Sequence, residues 1–141
     1  MRGSLITSCG LVTALVVVIL LLLFRGYFDR GHFEVTNTDY SSSKQIAVVA
    51  KRSDSEALNG DAYFVFISDH KPSVTELRRT YHSAAVIFSA DESCLSVHWK
   101  SATELVVTCA DSSIKSSHIG IQEHRRGGIV ISYINVPNMS R

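Results

Sequence analysis

The sequence contains no long run of basic residues, and this absence excludes one large class of function. Its 14 Lys and Arg residues are balanced by 13 Asp and Glu residues, which gives a formal net charge of +1. Adjacent arginines occur only as the isolated pairs Arg78-Arg79 and Arg125-Arg126. Nucleic-acid binding requires a basic patch, so we expect no nucleic-acid partner. The sequence also lacks an internal repeat with a period of about 20–50 residues, which excludes a repeat architecture.

Motifs for catalysis and metal binding are absent as well. The histidines follow no H-x-H, H-E-x-x-H or Cys/His spacing of the kind that binds zinc. There is no G-x-S-x-G element, and spacing fixes no partner for any serine. A metal site built from His98, His118 and Glu123 would require the two histidines to meet on adjacent strands, and we interpret them instead as ordinary surface residues. We therefore expect no catalytic residue, no cofactor and no metal.

What the sequence does contain is a long apolar run from Gly3 to Phe24, which has no charged residue. As a helix it would measure about 33 Å, enough to cross a bilayer core of about 30 Å. Residues 1–25 are therefore predicted to be a transmembrane signal-anchor. A cleaved signal peptide is the alternative, but Phe24-Arg25-Gly26-Tyr27-Phe28 is a poor cleavage site. A lipoprotein signal ending at Cys9 is a second alternative, but there the apolar run follows the cysteine instead of preceding it.

The arrangement of charges beside this run bears on orientation. Arg2 lies on the short side, and Arg25 and Arg30 lie on the long side, which alone favours a cytoplasmic domain. Folded domains translocate largely regardless of charge, and the short amino-terminal tail is typical of a signal-anchor. We therefore expect a single-pass protein of a bacterial inner membrane, with its domain in the periplasm. Residues 26–43, including the polar stretch Thr36–Ser43, are predicted to be a juxtamembrane linker.

The remaining sequence predicts a mainly β domain over residues 44–137, with a tail at 138–141. The segment Asp61–Asp69 is apolar on both parities, as expected for a central strand buried on both faces. Ser73 and Glu76 form a capping-box pattern that begins a helix from Val74 to about Tyr81. Without long crossovers, we expect an antiparallel sheet or sandwich of about seven strands with one short helix. The predicted strands are Lys44–Arg52, Asp61–Asp69, Ala84–Ser89, Leu95–Trp99, Leu105–Cys109, Ser117–Glu123 and Ile129–Val136, the last four forming two hairpins.

Cys94 and Cys109 bracket the first of these hairpins and are candidates for a disulfide. In one register Trp99 faces Glu104, and the two cysteines then face each other directly, close enough to bridge. In the other register Lys100 faces Glu104. That register gives the cleaner alternation of apolar and polar residues, but it places the cysteines on opposite faces. An oxidising compartment favours the disulfide, and with it the first register.

The segments Arg52–Phe66 and Leu95–Cys109 carry a resemblance to known proteins. Together with the anchor, they resemble the small uncharacterised single-pass exported proteins of Gram-negative bacteria. The second segment is similar to the V-x-W-x-S-x-x-x-L-x-V strand–turn–strand of several families without an assigned activity. The resemblance implies an extracytoplasmic domain, and it provides no catalytic residues to transfer.

Three functions are compatible with these features. The first is a non-enzymatic interaction module that is tethered to the membrane and binds a protein partner. The second is an immunity protein against an exported toxin, since such proteins are small, anchored and specific. The third is a small envelope hydrolase, which would require a polar pocket holding His98 or His118 beside a carboxylate.

Overall fold

The structure is a computed structural model that describes residues 12–21, 31–54, 60–111 and 114–139. Two compact units, Met1–Arg30 and Gly31–Arg141, divide the chain. In the first unit, residues 12–21 form a helix, α1. The parts of the predicted anchor before and after these residues lie outside the described residues. Within the described ranges, no helix combines the length and the apolar character that a membrane span requires.

The second unit contains a five-stranded antiparallel sheet in the order β1-β2-β3-β4-β7. The prediction of a central strand at Asp61–Asp69 is confirmed, because both Phe64 and Val65 are fully buried. The predicted third strand is shorter than expected, and its first residues form an irregular approach to β4. The strands are β1 His32–Tyr40, β2 Ile46–Ser53, β3 Ala62–Ser68, β4 Phe88–Ala90 and β7 Ile119–Gln122.

A four-stranded sheet in the order β5-β6-β9-β8 packs against the first. Strands β5 and β6 form the predicted first hairpin, with Trp99 opposite Leu105. The predicted second hairpin is wrong, because β7 pairs with β4 in the five-stranded sheet, whereas β9 pairs with β6 and β8. Gly127 and Gly128, both at positive φ, make the tight turn between β8 and β9. The strands are β5 Leu95–Ser101, β6 Glu104–Cys109, β8 Arg125–Arg126 and β9 Ile129–Ile134.

The expectation of a wholly antiparallel fold is also wrong, because β6 and β9 are parallel. Between them the chain leaves the four-stranded sheet, adds β7 to the five-stranded sheet, and then returns. The connection is thus a crossover that uses a strand of the other sheet. The described residues form nine strands and not seven, and the coarser prediction of a mainly β domain is confirmed.

Two apolar clusters stabilise the unit. One joins the facing sides of the two sheets and includes Val49, Val65, Trp99 and Leu105. The other lies on the outer side of the five-stranded sheet, where helix α2, Val74–Tyr81, covers it with Leu77. The predicted helix is confirmed at both ends, and so is its capping box, in which Ser73 and Glu76 bond reciprocally.

Strand β1 corrects the prediction of a linker at residues 26–43. A β-bulge between Val35 and Asn37 shifts the register, so that Asn37 lies opposite Val49 in place of Val48. The shift turns Asn37 and Asp39 from the helix side toward the four-stranded sheet. Their side chains accept hydrogen bonds from the backbone N–H groups of Val97, at 3.1 Å, and Trp99, at 2.7 Å. The polar stretch thus covers the outer edge of β5, and no sequence pattern predicts this contact.

The predicted tail also has a structural partner. The backbone N–H of Met139 donates a hydrogen bond to the side-chain oxygen of Gln122, at 2.6 Å. The same glutamine donates to the carbonyl of Pro137, at 3.1 Å. The carboxyl-terminal segment is therefore attached to the end of β7 as far as residue 139.

Candidate binding groove

A groove of about 360 Å³ lies on the outer side of the five-stranded sheet, beside helix α2. Phe64 on β3 and Ile121 on β7 lie on the same side of the sheet, since both are paired with Ser89 on β4. Tyr81, at the end of α2, and Val86 form the wall on the helix side. The helix covers β1 to β3, and the groove is the part of this sheet face that the helix leaves uncovered.

Gly120 creates room in the groove. It is the extra residue of a β-bulge, because Ser89 pairs with Ile121 whereas Ala90 pairs with Ile119. A Cβ atom at position 120 would lie only 2.9 Å from the hydroxyl of Ser89. Only glycine fits this approach without a shift of the serine.

The aromatic wall is held firmly. The ring of Tyr81 packs edge-on against Phe33 and Phe64, with centroid separations of 5.8 and 5.2 Å. The guanidinium of Arg52 lies 5.4 Å from the centroid of the tyrosine ring. These contacts fix the tyrosine at the end of a helix whose beginning is fixed by its capping box.

A second support lies behind the wall. Arg126 donates two hydrogen bonds to the carboxylate of Glu123, at 2.8 and 2.5 Å, and one to the carbonyl of Val86, at 3.4 Å. The Glu123 carboxylate raises the pKa of Arg126. The hydroxyl of Tyr133 donates to the Glu123 carbonyl, and burial raises the pKa of that phenol. This network ties the chain that crosses between the sheets to the groove wall.

Polar side chains line the rim. Ser117 and His118 come from the turn before β7, and Asp91 follows β4. The Nδ1 atom of His118 lies 3.4 Å from a carboxylate oxygen of Glu92. Asp91 has no ion pair or hydrogen bond within the described ranges. The rim thus combines one histidine–carboxylate pair with one uncompensated carboxylate.

The structure brings together the two candidate cysteines, with the Sγ atoms of Cys94 and Cys109 at bonding distance, 2.06 Å. The predicted register is nevertheless wrong, because Leu95 is the residue that faces Cys109. Cys94 lies in a turn just before β5, where strand alternation does not apply, and its carbonyl accepts the N–H of Ala110 at 3.3 Å. The disulfide therefore forms in the register that was expected to exclude it.

The histidines that were considered for a metal site do not meet. His98 lies on β5 of one sheet, where its Nδ1 atom is 3.0 Å from Asp39. His118 precedes β7 of the other sheet, and Glu123 is engaged by Arg126. Over the residues that the structure covers, no three His, Cys, Asp or Glu side chains form a group able to hold a metal ion.

Sequence reasoning identified His118 but missed Ser89, Asp91 and Gly120. These residues are far apart in the sequence and follow no motif spacing, because a sheet face assembles them. One local signal was available, since an isolated glycine within a strand often marks a bulge or a close backbone approach.

No protein-family model, curated protein or solved structure matches this chain.

Proposed function

We propose that this protein is a membrane-tethered module that binds a protein partner through the groove beside helix α2. The observation that carries the proposal is the groove itself, in which the exposed side chain of Ile121 and the fixed ring of Tyr81 lie beside a polar rim. Ligand sites combine an apolar lining with a few polar groups in this way. An immunity protein, which binds one toxin tightly, is the specific form of this proposal.

The tether is part of the same proposal. The described residues of α1 expose large apolar side chains around the helix, including Val12, Leu15 and Leu21. A helix that is apolar all round suits a buried or membrane environment. Together with the uncharged run Gly3–Phe24 and the resemblance to small exported proteins, this supports an inner-membrane location with the domain in the periplasm.

The location has a direct test. A reporter that is active only in the periplasm, fused after Arg141, should be active, and a cytoplasmic reporter at the same position should be silent. Intact-mass measurement of the membrane-extracted protein should show a chain that retains residues 3–24. A species beginning between Gly26 and Asp39 would show that the segment is a cleaved signal peptide and not an anchor.

Binding at the groove is tested by site-specific photo-crosslinking in cells that express the full chain. A photoreactive side chain at Ile121 lies in the groove, and one at Val130 lies on the outer side of the other sheet. The two positions are matched, since both are β-branched strand residues with 38% and 42% exposure. We expect a discrete protein adduct from position 121 and none from position 130. The absence of an adduct at 121, or the same adducts from both positions, would contradict the proposal.

A second candidate function is hydrolysis, because His118 lies beside Glu92 on a rim that also carries Ser89 and Ser117. A nucleophilic serine requires a hydrogen bond to its base. Over the described part of the chain, neither serine hydroxyl forms one with His118, so binding is the better supported function. Turnover of a chromogenic ester by the full chain that is lost in both His118→Ala and one of Ser89→Ala or Ser117→Ala would reverse this preference.

A further inference from the structure

Asp91 differs from most carboxylates of the described residues. Others have a lysine, arginine or histidine within salt-bridge distance, such as Asp61 with Lys51 at 2.9 Å and Glu104 with Lys100 at 3.0 Å. Asp91 lines the groove and, within the described ranges, has neither an ion pair nor a hydrogen bond. A ligand that enters the groove therefore meets a carboxylate that no described side chain compensates.

Three cationic side chains in or against the groove lining are already engaged. Arg126 is neutralised by Glu123, and the guanidinium of Arg52 lies 3.3 Å from Asp54. His118 is paired with Glu92. None of these groups leaves the groove with an excess of positive charge, so the charge of Asp91 sets the preference for a ligand.

The floor and wall suit a long side chain with a charged end. Ile121 offers exposed apolar surface beside the fully buried Phe64, and the half-buried Tyr81 offers an aromatic ring at the side. Lysine and arginine bury their aliphatic stems on such surfaces while the charged group stays at the polar edge.

Strand β7 adds a backbone edge to the groove. It is the last strand of the five-stranded sheet, and among the described strands none pairs with its outer edge. Among the described residues, the hydrogen bonds between the carboxyl-terminal segment and β7 are made by the side chain of Gln122, at the end away from Ser117 and His118. An extended peptide can pair with such an edge through its backbone while a side chain enters the adjacent pocket.

We propose that the groove binds a lysine or arginine side chain presented by an extended segment of the partner, with Asp91 as the counter-charge and β7 as the pairing edge. This inference rests on the proposed function, and it specifies the chemistry of the partner. The occupant is a protein segment and not a free cation, because the edge of β7 adds backbone pairing that only a peptide can use.

The test uses the full chain in detergent micelles and follows the methyl signal of Ile121 by NMR. The probes are capped five-residue peptides of β-branched and polar residues that differ only at the central position. Lysine, arginine, norleucine or glutamate occupies that position, and a capped single lysine serves as the free-cation probe. Norleucine has the stem of lysine without its charge, so it isolates the electrostatic contribution.

We expect the lysine and arginine peptides to bind about fivefold tighter than the norleucine peptide, in line with an exposed ion pair. Asp91→Asn should remove this difference and leave the affinity for norleucine unchanged. Asp111→Asn, which changes an exposed aspartate outside the groove lining, should have no effect. The capped single lysine should bind more weakly than the peptide.

Each other outcome overturns the inference. Equal binding of lysine and norleucine peptides, or no effect of Asp91→Asn, removes the role of charge while the groove remains a binding site. Equal binding of the capped lysine removes the role of the β7 edge. If no peptide binds although position 121 still crosslinks to a partner, the inference fails and the proposed function stands.

Discussion

Strand β5 at the edge of the four-stranded sheet and strand β7 at the edge of the five-stranded sheet differ in whether their outer edge is covered. We call the outer edge of β5 the closed edge, because Asn37 and Asp39 of β1 accept its N–H groups. We call the outer edge of β7 the open edge, because no described strand pairs with it and the groove lies beside it. Exposed edges invite pairing with other chains, and proteins normally cover them. An edge that is left open next to a groove is therefore the better candidate for a binding site.

This comparison predicts that changes at the closed edge reduce stability more than changes at the open edge. The largest loss of stability should come from removing the disulfide between Cys94 and Cys109, at the end of the β5–β6 hairpin opposite its turn. Its sequence separation is 15 residues, for which chain-entropy reasoning gives about 3 kcal/mol. Reduction should lower the free energy of unfolding by about this amount, and Cys94→Ser should match the effect of reduction. Full thiol labelling of both cysteines after unfolding without reductant would show that the bond is absent.

Asp39→Ala should have the next largest effect. It removes the acceptor of the Trp99 N–H and the partner of His98, and we expect a loss of about 1–2 kcal/mol in denaturant unfolding. Asp39→Asn retains an acceptor oxygen and should recover part of the loss. If Asp39→Ala unfolds at the same denaturant concentration as the wild type, the Asp39 side chain contributes nothing to the stability of the closed edge.

At the open edge, Gly120→Ala should cost about 1 kcal/mol, because the added Cβ atom meets the Ser89 hydroxyl at 2.9 Å. Ser89→Ala removes that hydroxyl and should be nearly neutral alone. In the double variant the cost of alanine at 120 should largely disappear, which makes the pair a double-mutant cycle. Strictly additive effects would show that the serine does not set the requirement for glycine.

The smallest effect concerns the cap of α2, the helix that walls the groove. Hydrogen bonds from Ser73 and then His70 lower the pKa of Glu76 from 4.5 to about 2, and Glu76 and Asp69 raise the pKa of His70 above 6.5. The Glu76 contribution is present above pH 4.5 and is lost as the pH falls toward 2. The His70 contribution is present below pH 6.5 and is lost as the pH rises through its raised pKa.

The cap should therefore stabilise the helix most between about pH 4.5 and 6.5. The difference in thermal midpoint between the wild type and His70→Ala should be largest in this window and should shrink above it. The side chains of Asp69, His70 and Glu76 are exposed to solvent, so high salt should reduce this difference in thermal midpoint. A difference that stays constant from pH 5 to pH 9 would contradict the linkage.

The sequence predicted those parts of the fold that depend on local pattern. The helix Val74–Tyr81 follows from its capping box and apolar face, and the burial of β3 follows from its apolar residues on both parities. It did not predict which sheet β7 and β9 would join, because that choice depends on contacts distant in sequence. It also missed β1, where a bulge places polar side chains at an edge and makes a strand resemble a linker.

The site was harder to predict from the sequence than the fold. The sequence predicts the disulfide but with the wrong register, because Cys94 lies one residue outside β5, where strand alternation no longer applies. Asp91 and Ser89 belong to no motif, and only the folded sheet brings them beside His118. A glycine inside a strand was the one signal that marked the region in advance.

The parallel pairing of β6 with β9 has a consequence for synthesis. Residues Leu105, Val106 and Val107 emerge well before their neighbours at Ile131, Ser132 and Tyr133. During this interval one side of an apolar β-branched strand has no partner, and such strands are prone to associate with other chains. Chains whose synthesis stops before Ile129 should therefore aggregate or be degraded. Chains that include β9 should not, because β9 pairs with the free side of β6.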